Sequence, residues 1–152
     1  MVEAPKRLKR RREFLHVARQ GRKCATPGLV LQARKRSRLV PEIAKEEIRV
    51  GFTVSRKVGK AVIRNKARRR LRAAAEIVLK DHGLGGYDYV LIGRAKTPGR
   101  QFGALVEDLD FALKKLRIWK DKPQKKINKF SEKVINYEPL IFNSAFFHFR
   151  IS

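Results

Sequence analysis

The fold is decided by residues 48–72, which read IRVGFTVSRKVGKAVIRNKARRRLR. Apolar and polar side chains alternate over residues 48–55, which is the period of a β-strand with one buried face. Apolar residues then recur every three or four positions, which predicts an amphipathic helix from about Ala61 to His82, with Gly83 as its stop signal. The stripe that would pack on a sheet consists of Ile63, Ala67, Leu71, Ala74 and Val78. The sequence therefore predicts a strand, a short loop and a long helix.

The same segment concentrates positive charge on one side of that helix. Nine of the seventeen residues 56–72 are Lys or Arg, and none is acidic. At about 100° per residue, the side opposite the apolar stripe presents Asn65, Arg68, Arg69 and Arg72, with Arg64 at its flank. Guanidinium groups stay charged and make paired hydrogen bonds to phosphate oxygens, and residues four apart are spaced by about 6 Å, close to the phosphate spacing of a nucleic-acid strand. The Asn65 amide suits a 2′-hydroxyl or a base edge. A solvated helix face usually mixes both signs, so this one predicts a polyanionic partner.

The whole chain agrees with that prediction. It has 152 residues, with 38 Lys and Arg against 14 Asp and Glu, a net charge of +24 and a pI near 11.1, and nucleic acid is the commonest partner of such a chain. An acidic membrane surface would require bulky aromatics opposite the charge, which the helix at 61–82 lacks. No stretch approaches the roughly 20 apolar residues of a membrane span, and no signal peptide is recognised. One cysteine, Cys24, interpreted as a small, partly buried hydrophobe, fits a reducing cytoplasm and supplies neither a disulfide nor a zinc module.

The flanking sequence predicts the remaining elements and one boundary. A first helix is expected from about Arg10 to Gly21, strands at 29–33 and 87–93, a third helix over 102–116, and a connecting loop at 41–47. Up to Arg117 there are 19 Arg and a net charge of +20, whereas the remaining residues hold one Arg and a net charge of +4. We therefore expect a main domain over residues 1–117 and a C-terminal extension of unknown role over 118–152.

The run Val50–Asn65, continued by Arg68, Arg69 and Arg72, resembles the signature of the bacterial ribonuclease P protein component. The resemblance covers about residues 5–117. It includes, in the same order, Arg7, Leu8, Phe14, Val17, Gly21, the run Tyr87–Val90 and the last amphipathic helix.

The resemblance implies an α+β fold. The fold of that family is a small two-layer α/β sandwich, ordered helix, strands, helix, strand, helix around a four-stranded sheet. It is similar to RNA-binding folds of ribosomal proteins and contains a left-handed βαβ crossover. Residues 1–117 would then be a ribonuclease P protein domain.

The resemblance also implies a function. The protein would be the subunit of ribonuclease P that binds the catalytic RNA and the 5′ leader of precursor tRNA in the cytoplasm. The RNA would perform the endonucleolytic removal of the leader, with magnesium held by the RNA and substrate rather than by a protein site. The protein alone is not expected to cleave, so no catalytic or metal residue is assigned, and neither a membrane nor another protein partner is expected.

Site residues follow from the positions that match the family motif. The RNA-contacting motif is matched by Arg64, Asn65, Lys66, Arg68, Arg69 and Arg72. Phe14 matches an aromatic of the cleft between the first helix and the sheet, where the single-stranded leader binds. Ala18 and Gln32 stand where the family can have aromatics, and stacking supplies about 1–3 kcal/mol per base. Leader binding is therefore expected to depend more on Arg49, Arg56, Lys57 and Lys60.

The two alternatives to this function are an autonomous enzyme and a structural RNA-binding protein. An autonomous enzyme is disfavoured, because the chain has no H-E-x-x-H, G-x-S-x-G or P-loop motif. Of its three histidines, His82 lies where a protonated imidazole suits the end of a helix, and Asp108 and Asp110 are spaced to face apart on a helix. Composition alone would favour a ribosomal or other structural RNA-binding protein. The run at residues 50–65 favours ribonuclease P over it.

Overall fold

The computed structural model describes residues 4–37 and 46–121. A short 3-10 turn, Arg56–Val58, precedes the longest helix. The strands are β1 (Lys6–Arg7), β2 (Arg22–Ala25), β3 (Leu29–Lys35), β4 (Arg49–Thr53) and β5 (Tyr87–Gly93), and the helices are α1 (Arg11–Gln20), α2 (Ala61–His82) and α3 (Phe102–Lys115). Within these ranges, none of the helices has the length and apolar character needed to cross a membrane.

The strands form one sheet in the order β1-β4-β5-β3-β2. The central strand, β5, is parallel to β4 and antiparallel to β3, and β1 adds to β4 in parallel. The α+β fold is thus confirmed, with five strands in the described residues where four were expected. Helix α2 joins the parallel neighbours β4 and β5, so the predicted βαβ unit is present, and its hand stays a prediction.

The two faces of the sheet are covered differently. One face packs against α2 and α3 in the main core, to which the strands contribute residues such as Leu31, Val50, Tyr89 and Leu91. Within the described residues, the other face is covered by α1, through a smaller cluster of Leu8, Val17 and Val90, with Phe14 and Ile92 against it. Because side chains alternate along a strand, the residues between the core positions point toward α1 or the space beside it.

Helix α2 has the bounds that the sequence predicts. Ala67, Leu71, Ala74 and Val78 are buried as expected. Ile63, placed in the same stripe, is 41% exposed. It belongs to the first turn of the helix, and its side chain lies against Gly59 in the preceding turn rather than on the sheet.

Two strands were not predicted, β1 and β2. Both lie at the edges of the sheet, and most of their side chains are exposed. An edge strand with two solvated sides has no apolar alternation, so the pattern that identifies strands is missing. The predicted strand at 29–33 extends to Lys35, and the one at 48–55 is reduced to Arg49–Thr53.

The folded core continues past the predicted boundary after Arg117. Ile118 is completely buried in the main core. Trp119 stacks on His82 with ring centroids 4.4 Å apart, and its indole N–H donates to Asp110 Oδ1 at 2.7 Å. The main fold therefore includes Ile118 and Trp119. The rest of the predicted extension, 122–152, and most of the predicted loop, 38–45, lie outside the described residues.

Candidate nucleic-acid interface

The outward side of α2 carries the predicted Arg-Asn motif. Asn65, Lys66 and Arg69 are exposed, and Arg64, Arg68 and Arg72 are half-buried. Burial of Ala67 and Leu71 fixes this orientation, because those two residues lie on the sheet side of the same two turns. We call Arg64, Asn65, Lys66, Arg68, Arg69 and Arg72 the α2 basic face.

The α2 basic face has no acidic partner among the residues that the structure describes. Its one side-chain hydrogen bond is from Arg68 Nη1 to Asn65 Oδ1, at 3.3 Å. The Nε atoms of Arg64 and Arg72 are buried, and neither has a hydrogen-bond partner in the described structure. The five cations therefore repel one another over three turns, and a polyanion would offset this repulsion.

Arg70 lies in the same basic run and does different work. Its Nη1 donates to the carbonyl of Pro98 at 3.1 Å, and its Nη2 donates to the carbonyl of Arg100. These bonds tie α2 to the turn that follows β5. No role was predicted for Arg70 from the sequence. Its two hydrogen bonds indicate that it stabilises the fold.

The surface where the resemblance places the leader cleft lies on the other face of the sheet, beside α1. Phe14 is half-buried there, and its ring packs on Gly51 of β4. Strand register places Gly51, Val90 and Gln32 in one row beneath α1, and Thr53, Ile92 and Val30 in the next row. Ala18 is exposed and Gln32 half-buried, so Phe14 is the one aromatic that α1 places on this surface. The structure brings Phe14, Gly51 and Gln32 together on this surface, and its use as a leader cleft stays a prediction.

Three of the cations expected at the cleft lie on the connection from β4 to α2. Arg56, Lys57 and Lys60 are exposed in and after the 3-10 turn. Gly59 has φ = 151°, a conformation that L side chains rarely adopt. Because this connection starts at the end of β4 and finishes at the start of α2, it links the cleft to the α2 basic face.

Arg49, also predicted at the cleft, is engaged within the protein. Its Nε and Nη2 donate to the two carboxylate oxygens of Asp88 at 2.8 and 2.7 Å, and its Nη1 donates to Glu13 Oε1 at 3.0 Å. The Asp88 hydrogen bonds and charge, with a further contribution from Glu13, raise the pKa of Arg49 against the opposing effect of burial. Arg49 therefore links α1 to β4 and β5, and each of its three nitrogen atoms donates to a carboxylate of the protein.

Glu13 fixes the start of α1. Its second carboxylate oxygen accepts hydrogen bonds from the backbone N–H groups of Arg10 and Lys9, at 3.0 and 3.2 Å. Partial burial acts to raise the pKa of Glu13, but those two amides and the neighbouring Arg49 charge outweigh burial, so the pKa lies below its ordinary value. Glu13 thus caps the helix and anchors it to the sheet at once.

Sequence reasoning missed the acid that organises this end of the sheet, Asp88. It is 2% exposed and also accepts a hydrogen bond from Arg36 Nη1 at 3.4 Å. A signal existed, because an aspartate inside an otherwise apolar central strand has to be paired. Nothing in the sequence indicated which arginine would pair with it.

The acidic residues Asp108 and Asp110 have partners within the protein in the parts of the chain at 4–37 and 46–121. No group of three or more His, Cys, Asp or Glu is positioned there to hold a metal ion. Asp108 accepts from the Gly28 N–H and from Arg100, while Asp110 binds Trp119 and Lys114. The two carboxylates have separate partners, as their spacing predicts.

Comparisons with known proteins give the family. The sequence profile of the family described as Ribonuclease P matches residues 2–117. The ribonuclease P protein component of Gluconacetobacter diazotrophicus is 52% identical over 115 residues, which is 76% of this chain and 94% of that protein. The component of Paramagnetospirillum magneticum is 50% identical over 110 residues, or 72% of this chain and 81% of that protein.

The fold agrees with these sequence matches. The structure of the Staphylococcus aureus RNase P protein superposes with a TM-score of 0.62 at 24% identity, over 75% of this chain and 97% of that one. At this identity the similarity to that structure supports the fold alone, whereas the family profile and the two relatives show which family the chain belongs to. This chain, with its α2 basic face, is therefore a member of the ribonuclease P protein component family.

Proposed function

We propose that this chain is the protein subunit of ribonuclease P, which binds the catalytic RNA and the 5′ leader of precursor tRNA in the cytoplasm. It would support endonucleolytic removal of the leader to give the mature 5′ end. The observation that carries the proposal is the α2 basic face, with five cations and Asn65 on three helical turns and no acidic partner in the described structure. Membership of the family supplies the class of RNA.

In this proposal the two surfaces have different tasks. The α2 basic face binds phosphates of the catalytic RNA through Arg64, Lys66, Arg68, Arg69 and Arg72, and Asn65 binds a 2′-hydroxyl or a base edge. The single-stranded leader lies in the cleft, with a base against Phe14 and its phosphates near Arg56, Lys57 and Lys60. With one aromatic in the cleft, charge rather than stacking supplies most of the leader affinity.

Arg49 takes a modified role. Its forked bonds to Asp88 and its contact with Glu13 hold α1 over the sheet. We therefore propose it as a residue that positions the cleft wall rather than as a direct ligand of the leader. Hydrolysis belongs to the RNA subunit, and magnesium is expected on the RNA and substrate.

The test is cleavage of a precursor tRNA by bacterial ribonuclease P RNA at low magnesium, with and without this chain. We expect the chain to restore cleavage at the mature 5′ end, and the chain alone to leave the precursor intact. An equally basic protein of unrelated fold is the control for charge screening. If the chain binds the RNA but restores no cleavage, a structural RNA-binding role replaces the proposal.

A further inference from the structure

A second basic pocket lies at the end of the sheet, beside the carboxyl end of α1. It has a volume of about 420 Å³, and its wall includes Gln20, Arg22, Arg34, Lys35 and Tyr87. Small-ligand sites range over roughly 300–1,000 Å³, so the pocket has the size of a nucleotide rather than of a single ion. We call it the β3 pocket, since Arg34 and Lys35 are the last residues of β3.

The β3 pocket is separate from the leader cleft. Helix α1 crosses the sheet. Near its start, Phe14 lies on Gly51, and directly after its end, Gly21 lies beside the carbonyl of Ala33. The row Thr53, Ile92 and Val30 lies on one side of this crossing, whereas Arg34 belongs to the row on the other side, with Asp88 and Arg49. The pocket is also separate from the α2 basic face, because no residue of that face lines it.

The charge in this pocket is not neutralised by the described part of the protein. Arg22, Arg34 and Lys35 make no ion pair and no side-chain hydrogen bond within residues 4–37 and 46–121. The carboxylate opposite Arg34 in the sheet register is Asp88, which is already occupied by Arg49 and Arg36. The carboxyl end of α1 offers only about half a negative charge, too little for three cations.

We propose that the β3 pocket binds a phosphodiester of RNA, an inference that rests on the proposed function and extends it. Two guanidinium groups and one ammonium group line the pocket, which suits the forked and point-charge recognition of phosphate oxygens. The Tyr87 ring forms a wall against which a sugar or base can lie. The protein then contacts RNA at three places, on both faces of its sheet and at one end.

The phosphodiester can belong to the catalytic RNA or to the precursor tRNA, and one set of measurements separates these sources. The full-length double variant Arg34→Gln/Lys35→Gln is compared with Lys80→Gln/Lys115→Gln, which removes the same charge from exposed positions of α2 and α3. Each is assembled with bacterial ribonuclease P RNA. The affinity for that RNA is measured over a salt series, as are the affinity of the holoenzyme for precursor tRNA and the cleavage rate.

Either of two results supports the proposal. If the catalytic RNA supplies the phosphate, the pocket variant binds it about tenfold more weakly than the control does, and the slope of log affinity against log salt falls by about 1, as for one lost phosphate contact. If the precursor supplies it, RNA-subunit affinity equals that of the control, while holoenzyme affinity for the precursor falls about tenfold. In either case cleavage at limiting concentrations of the more weakly bound RNA slows in proportion to the lost affinity.

The proposal is overturned if the pocket variant equals the control in both affinities. Arg22→Gln, on the exposed edge strand β2, is the second variant, and it answers the same question if Arg34→Gln/Lys35→Gln fails to fold. Loss of the proposed function is distinguishable, because the unmodified chain would then fail to restore cleavage at low magnesium. A chain that restores cleavage, with pocket variants that match their control, refutes the pocket alone.

Discussion

Phe14 of α1 lies so close to Gly51 of β4 that a Cβ atom at position 51 would stand 2.4 Å from the ring atom Cε1. The glycine therefore sets the depth at which the aromatic packs, and with it the height of α1 above the sheet. The absence of a side chain at Gly51 therefore shapes the surface on which we propose that the leader binds.

Gly51→Ala is the direct test of this contact. We expect it to displace Phe14 and to cost about 1–3 kcal/mol of the free energy of unfolding, the range for an overpacked site. Leader binding should weaken by a larger factor than binding of the catalytic RNA, because α2 is untouched. Gly103→Ala is the matched control, since a Cβ there meets nothing within 4 Å, and it should leave both affinities unchanged. Equal losses of both affinities in Gly51→Ala would contradict the assignment of the cleft.

Arg68→Ala/Arg72→Ala tests the α2 basic face. Both side chains lie off the buried stripe, so we expect the circular-dichroism melt to be retained. Affinity for the catalytic RNA should fall at moderate salt, and the salt slope should fall by about 2, because each lost phosphate contact releases one counterion fewer. Lys80→Gln/Lys115→Gln serves again as the control. A variant that no longer melts cooperatively would show that these arginines support the fold instead.

Arg49→Lys separates a positioning role from direct contact with the leader. Lysine keeps the positive charge but cannot make the forked pair of bonds to Asp88 together with the bond to Glu13. We expect lower thermal stability and weaker leader binding, with unchanged affinity for the catalytic RNA. If Arg49 acts as a simple phosphate ligand, Arg49→Lys should keep most of the leader affinity and Arg49→Gln should lose it without loss of stability.

The acid limb of the stability profile should depend on Glu13. Its pKa in the folded protein lies below the ordinary value of 4.5. The stability that it contributes is therefore present above that value and is lost as the pH falls through the folded pKa. Glu13→Gln should lower the melting temperature at neutral pH, by the equivalent of roughly 1 kcal/mol or less, and the difference should shrink as the pH falls below 4.5. Glu107→Gln, at an exposed position of α3, should show no such convergence, and a difference for Glu13→Gln that persists at low pH would contradict the ion pair.

Two truncations separate the folded end of the domain from the segment beyond it. Deleting 122–152 should leave stability and leader removal nearly unchanged. Deleting 118–152 also removes Ile118 and Trp119 from the core, which should cost about 3–5 kcal/mol in unfolding free energy, as for other large buried side chains. The melting temperatures of the two shortened chains measure this difference in stability. Similar stabilities would mean that Ile118 contributes little to the core.

The sequence predicted the elements that have a strong period and failed where no period exists. Helix α2 and strand β5 were predicted with their observed bounds, because a long apolar stripe and a strand that is apolar except for Asp88 leave little ambiguity. The edge strands β1 and β2 are short and cationic, so their pairing depends on neighbours distant in the sequence. Ile118 and Trp119 follow a helix end as a run of only two apolar residues, which is too short to show a period that would assign them to the core.

The candidate site divides in the same way. The α2 basic face could be read from helical spacing, since α2 is regular over its whole length. The engagement of Arg49 by Asp88 and the engagement of Arg70 by the carbonyls of Pro98 and Arg100 could not be read in this way. Both depend on which residues the fold brings together across 28 to 39 positions of sequence. A basic run therefore identifies a surface before it identifies which of its members are available to a ligand.

The place of β5 in the sheet has a consequence for synthesis of the chain. This strand lies between β4 and β3 in the sheet, yet the ribosome synthesises it after both of them and after the 22 residues of α2. Until residues 87–93 leave the ribosome, the β2–β3 hairpin and the β1–β4 pair have no common partner, and each exposes an open edge. The arginines of α2 emerge during that interval, on a chain that cannot yet present them as an ordered face. Nascent chains should therefore hold RNA only loosely, and selective recognition should begin when the central strand closes the sheet.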